Sequence, residues 1–98
     1  MIIHLTYLKK IMSAYQNKIK KEFQNKGYIV LKIVRLSDSG YPDLLAMKLG
    51  EPDTWIECKE AKDTLKELKK FRIDELNKLG KRAFCTQDTK GIIYPITP

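Results

Sequence analysis

Along the chain, Leu5, Leu8, Ile11, Met12, Tyr15, Ile19 and Phe23 recur at spacings of three and four. They form one apolar stripe, which predicts a helix from about Thr6 to Lys26, stopped by Gly27. Ser13 with Gln16 has the form of a capping box, so a second reading has the helix begin or break near Ser13. Lys9, Lys10, Lys18, Lys20 and Lys21 fall on the outer face and read mainly as a solvated surface, with phosphate contact as the other reading.

The pattern then changes. Tyr28 to Leu36 is dense in Ile, Val and Leu and predicts a strand, interrupted by Lys32. Ser37 to Pro42 is a loop by composition. Asp43 to Leu49 and Thr54 to Lys59 predict two more strands around a turn at Gly50-Glu51-Pro52-Asp53. Pro42 stands just before the first of them, where its missing N–H does not harm the ladder. After the polar Glu60 to Asp63, Thr64 and Glu67 are spaced as cap and partner of a second helix, which runs to about Leu79 and ends at Gly80.

Leu65, Leu68, Phe71, Ile73, Leu76 and Leu79 are the apolar positions of that helix, with Arg72 inside their arc and Lys69 at its edge. Inward cations need an anionic partner or a path to solvent. Lys69 is expected to reach a carboxylate or a bound phosphate, and Arg72 is open between the two. Lys81 to Thr86 predicts a fourth strand, Gln87 to Gly91 a turn, and Ile92 to Tyr94 a short edge strand ended by Pro95. This order predicts an α/β fold, α-β-β-β-α-β, with a mixed sheet flanked by helices.

Length and composition narrow the function. The 98 residues suit one domain spanning 1–98. No apolar run is long enough to span a bilayer, and Met1-Ile2-Ile3-His4-Leu5 is too short for a signal peptide, so an intracellular, cytoplasmic protein is expected. Cys58, Cys85 and the single His4 do not make a zinc pattern, and both cysteines read as reduced core residues. The formal charge of +7 favours a polyanion, with nucleic acid the first candidate.

Within that frame, Asp43, Glu57 and Lys59 are conspicuous, because each is ionisable at the end of an apolar strand. Side chains two apart in a strand share a face, so Glu57 and Lys59 project together, with Trp55, while Ile56 and Cys58 point to a core. If the strands pair as a hairpin, Asp43 comes beside them. Two carboxylates and an ammonium then meet at a sheet end, and such hard oxygen donors suit Mg²⁺ or Mn²⁺.

The segment Gly40-Tyr41-Pro42-Asp43, thirteen further residues and Glu57-Cys58-Lys59 resembles the PD-(D/E)xK nuclease superfamily, which has a restriction-endonuclease-like core. Its Gly-x-Pro-Asp and its second helix ending in Gly80 resemble the VRR-NUC branch. The chain is also similar to archaeal-type Holliday-junction resolvases, over about Ser13 to Tyr94. The resemblance implies that Asp43, Glu57 and the Cys58 backbone carbonyl hold a divalent metal, and that Lys59 positions or helps deprotonate the attacking water. It departs from the family in two places. The first-helix glutamate falls at Gln16, with Glu22 as the alternative. Lys69 stands where VRR-NUC has a glutamine, and could contact the scissile phosphate.

Lys32 reads first as a strand lysine reaching solvent and second as a DNA contact. Tyr41 reads equally as a stacking residue and as a loop anchor. The expected activity is Mg²⁺-dependent DNA endonuclease cleavage, on Holliday junctions or other branched DNA. A homodimer is expected, since symmetric cutting of two strands pairs two sites. Phage or mobile-element origin would fit a stand-alone domain of this kind. The rival is a nucleic-acid-binding protein on a degenerate nuclease scaffold. A third reading is a nuclease module acting only within a larger complex.

Overall fold

The computed structural model describes residues 12–96. Helix α1, Ala14–Asn25, begins at the break foreseen near Ser13. Ser13 is extended (φ −67°, ψ 164°) and its Oγ accepts from the Gln16 N–H at 3.0 Å. The described helix thus starts after Ser13, whose hydroxyl satisfies a first-turn N–H, and the part of the expected helix from Thr6 to Ile11 lies outside the described residues, as does Leu5. Tyr15 and Ile19, with Met12 just before the helix, are the buried part of the stripe.

Strands β1 (Ile29–Lys32), β2 (Leu44–Met47) and β3 (Thr54–Lys59) form an antiparallel meander. Helix α2, Glu67–Lys78, carries the chain over to β4, Arg82–Gln87, which pairs parallel to β3. Strand β5, Gly91–Tyr94, closes the order β1-β2-β3-β4-β5 antiparallel to β4. The result is the expected mixed sheet flanked by two helices. Burial separates the two faces. Val30, Leu44, Ala46, Ile56 and Cys58 pack with Met12, Tyr15 and Ile19 under α1. Ala83, Cys85 and the partly buried Trp55 pack with Leu65, Ile73 and Leu76 under α2.

Three expectations are corrected. The first strand stops at Lys32, not Leu36: past Lys32 only the Ile33 N–H still bonds β2's side of the sheet, to Asp43 O at 2.7 Å. Val34 and Leu36 are exposed in the connecting loop. The Thr64–Glu67 capping box does not form. Lys66 is the cap residue, with no side-chain capping bond, and the preceding Leu65 is buried. The chain drops Leu65 into the core before it turns into α2, and that burial sets the start. Finally, Leu68, Phe71 and Leu79 are exposed, so the inner face of α2 consists of Ile73 and Leu76 together with Lys69 and Arg72.

The end of α2 is fixed to the sheet by one side chain. Asn77 Nδ2 donates to Ala83 O at 2.9 Å, and the Ala83 N–H donates to Asn77 Oδ1 at 2.8 Å. One amide thus bonds β4 as a neighbouring strand would, beyond the end of β5. Asn77→Ala is expected to destabilise the protein by about 1–3 kcal/mol, since two bonds are lost and two backbone groups are left unpaired. At this size each kcal/mol lowers Tm by about 4–8 °C, which thermal unfolding would measure.

Candidate active site

The hairpin register builds the site. Leu44 pairs with Ile56 across β2 and β3, and one further step sets Asp43 opposite Glu57. Asp43 is held by both neighbours. Its carbonyl accepts from Ile33 N at 2.7 Å, and its Oδ2 accepts from Cys58 N at 3.1 Å. The N–H and C=O of one strand residue project to the same side, so the Cys58 carbonyl also faces the Asp43 edge.

Glu57 is only 2 % exposed, which is rare for a carboxylate. Two ammonium groups compensate it: Lys69 Nζ from α2 lies 3.1 Å from Oε1, and Lys59 Nζ lies 3.6 Å from Oε2. Its pKa is nevertheless raised. Burial is the largest cause and the Asp43 charge the second, and together they outweigh Lys69 and Lys59. The Asp43 contribution also shows that the two carboxylates meet electrostatically.

Lys69 gives charge to Oε1 from off the hydrogen-bonding line. Among the described residues, Glu57 Oε1 has no hydrogen-bond partner, and neither has the indole N–H of Trp55 two positions away on the same face.

That unbonded buried oxygen is where the residues fit a cation. Glu57 Oε1 and the second Asp43 oxygen are hard donors with capacity to spare, as Mg²⁺ held by one or two carboxylates requires. Among the described residues no third acidic, Cys or His side chain joins them. The thiols are not candidates. Burial, with help from Asp43 and Glu57, pushes the Cys58 thiol well up, and burial with Glu57 pushes that of Cys85 up to about 12.

Other candidates fall at different distances from this centre. Lys69 also donates to Tyr41 O at 3.0 Å, which ties α2 to the loop that delivers Asp43. Arg72 supports the same loop. Its Nε donates to Ser39 O at 3.0 Å, its guanidinium lies 4.6 Å from the Tyr41 ring centroid, and it pairs with Glu75 at 3.3 Å. The Tyr41 hydroxyl donates to Glu75 Oε1 at 2.9 Å. Tyr41 and Arg72 thus brace each other behind the loop that leads into Asp43. Gln16 reaches the site and Glu22 does not: Glu22 is exposed, roughly 9 Å further along α1 at 1.5 Å per residue.

Sequence reasoning undervalued two residues. Lys32 shares the inner face of β1 with Val30. Its Nζ donates to Gln16 Oε1 at 3.2 Å and lies 3.8 Å from Asp43 Oδ1. Period-two alternation could have put it on that face, but its partners come from other elements. Gln87 is 3 % exposed, and its Nε2 reaches the carbonyls of Glu60, Ala61 and Asp63 at 2.9, 3.2 and 2.7 Å. It stands opposite Lys59 and holds the segment that leaves β3. Extending β4 to the length of β3 would have placed it in the strand.

Two solved structures share this architecture. A VRR_NUC domain is similar over 72 % of this chain and 77 % of its own, with TM-score 0.63 and 24 % identity. Hjc, a Holliday junction resolvase from the archaeal hyperthermophile Archaeoglobus fulgidus, is similar over 74 % of this chain and 64 % of its own, with TM-score 0.58 and 18 % identity. No family model and no curated protein matches the sequence. The fold is therefore the restriction-endonuclease-like fold of these two proteins. Among the described residues no helix is long and apolar enough to cross a membrane.

Proposed function

We propose that the protein is a divalent-metal-dependent endonuclease that hydrolyses phosphodiester bonds in DNA, with Asp43, Glu57 and the Cys58 carbonyl as metal ligands. The observation that carries this reading is the meeting of Asp43 with the buried Glu57, beside Lys59 and Lys69, on a fold shared with nucleases. A bound Mg²⁺ or Mn²⁺ would neutralise phosphoryl charge and lower the pKa of water.

The side chains divide the rest of the work. Lys59 orients the incoming water, and its ammonium stabilises the negative charge that develops on that oxygen as the water's proton passes to solvent. Lys69, held between Glu57 and the Tyr41 carbonyl, puts its charge beside a non-bridging phosphate oxygen, where it counts most as negative charge builds up. Tyr41 and Arg72 keep the Asp43 loop seated, and the net charge of +7 draws DNA in. Cutting of branched or four-way junction DNA on two strands would use a homodimer, one site per strand.

The test is cleavage of labelled four-way junction and linear duplex with Mg²⁺ or EDTA, using the wild type, Asp43→Asn and Lys59→Ala. Asn keeps an acceptor for the Cys58 N–H and removes the charge. Metal-dependent cutting that both substitutions abolish is the expected result. A second reading, binding without cleavage on a degenerate scaffold, draws on Gln16, a neutral amide where a third carboxylate would stand. DNA binding that neither metal nor the substitutions change would establish that reading instead.

A further inference from the structure

Three lysines from three elements converge on two carboxylates: Lys32 from β1, Lys59 from β3 and Lys69 from α2. The cluster is thus already in cationic excess before any metal arrives. A divalent cation adds two more charges to the same small volume. Mutual repulsion of that kind is relieved only when something anionic arrives with the metal or when a lysine leaves.

Lys32 is built to leave. Its contact with Asp43 is an ion pair at 3.8 Å, too long for a hydrogen bond, and its hydrogen bond goes to the neutral Gln16 at 3.2 Å. A neutral acceptor holds an ammonium less firmly than a carboxylate does. Lys69, by contrast, is closer to Glu57 and is also bonded to a backbone carbonyl. Lys32 also has somewhere to go. With Asp43, Lys69 and Arg35 it lines a groove of about 530 Å³ between the loop after β1 and the site. An ammonium turned into that groove would meet the phosphate oxygens of a DNA backbone lying along it.

We infer that Lys32 occupies the metal's place beside Asp43 in the free protein and moves to the DNA backbone when metal binds, so that metal and DNA bind cooperatively. The inference rests on the metal-dependent reading above. It assigns to Lys32 a positioning role that a lysine merely reaching solvent would not have. Coupling between two such sites is typically about 5–150-fold in affinity, and by linkage each ligand tightens the other by the same factor.

The test is Mn²⁺ binding by titration calorimetry, without DNA and with a short duplex carrying phosphorothioates against cleavage. Lys32→Met keeps the apolar stem and removes the charge. Lys18→Met, on the outer face of α1, makes the same charge change away from the site. Without DNA, Lys32→Met is expected to bind Mn²⁺ roughly tenfold more tightly than wild type, and Lys18→Met to match wild type. With DNA, the advantage of Lys32→Met should shrink, because its coupling is reduced.

Wild-type Mn²⁺ binding that Lys32→Met leaves unchanged or weakens would overturn this inference alone. If no protein binds Mn²⁺ with or without DNA, the metal-dependent reading falls with it. Melting temperatures and circular dichroism of the three proteins confirm that equal folds are compared.

Discussion

Glu57→Gln is expected to abolish metal-dependent cleavage and, in EDTA, to raise the melting temperature of the same protein. The two effects have one origin. Glu57 is buried opposite Asp43, and its surroundings favour the neutral form even with Lys59 and Lys69 beside it. An amide of the same shape removes the buried charge and its repulsion with Asp43, so the metal-free fold gains. Each kcal/mol relieved raises Tm by about 4–8 °C in a domain of this size. Cleavage is expected to fall about 10³-fold or more, because a ligand lost from a catalytic metal forfeits several kcal/mol of transition-state stabilisation.

The pH dependence gives the sign an independent check. The folded-state pKa of Glu57 lies above the ordinary carboxylate value. Above that pKa, Glu57 is charged in both folded and unfolded states, and the fold carries the full burial penalty. As pH falls through it, the folded protein takes up the proton first and the penalty fades, to vanish below the unfolded value. The Tm advantage of Glu57→Gln should therefore be largest near neutrality and disappear on acidification. A substitution that lowers Tm at pH 7 in EDTA would show that the lysine pairs outweigh burial.

Gly40→Ala is expected to cost about 2–4 kcal/mol and to depress cleavage with it. Gly40 has φ +90°, where L side chains are strained, and an added Cβ would lie 2.5 Å from Leu68 Cγ and 3.3 Å from Arg72 Cγ. The loop would have to lift from α2, loosening the Tyr41–Arg72–Glu75 brace that precedes Asp43. The two contributions are separable. Leu68 is 45 % exposed, so Leu68→Ala should itself be mild. The double variant Gly40→Ala/Leu68→Ala should recover the crowding and leave the backbone strain. Chemical denaturation of the four proteins measures both.

Much of this could be read from residues. Strand β3 falls at Thr54–Lys59 as its pattern predicts, because alternation, turn and strand end coincide there. The Ser13–Gln16 pair marked the start of α1, since a cap is a local interaction. Where tertiary contacts decide, the pattern misled. Thr64 and Glu67 have cap spacing, but burial of Leu65 delays α2; Leu68 and Phe71 fit a helical stripe, but Lys69 and Arg72 take the sheet-facing positions. The hairpin facing Asp43 to Glu57 followed from strand ends and a short turn. The third cation did not, because nothing local to Lys32 announces Gln16 or Asp43.

The bond from the Cys58 N–H to Asp43 Oδ2 has a consequence for how this scaffold ages. That aspartate is a splint as well as the proposed ligand: it closes the backbone of β3 where β2 has run out. A descendant that had given up chemistry would still be selected to keep an acceptor there, while Glu57, which strains the fold it sits in, would be free to drift to something neutral. In such lineages the loss of activity would be written first at the buried glutamate, and survival of the aspartate would say little.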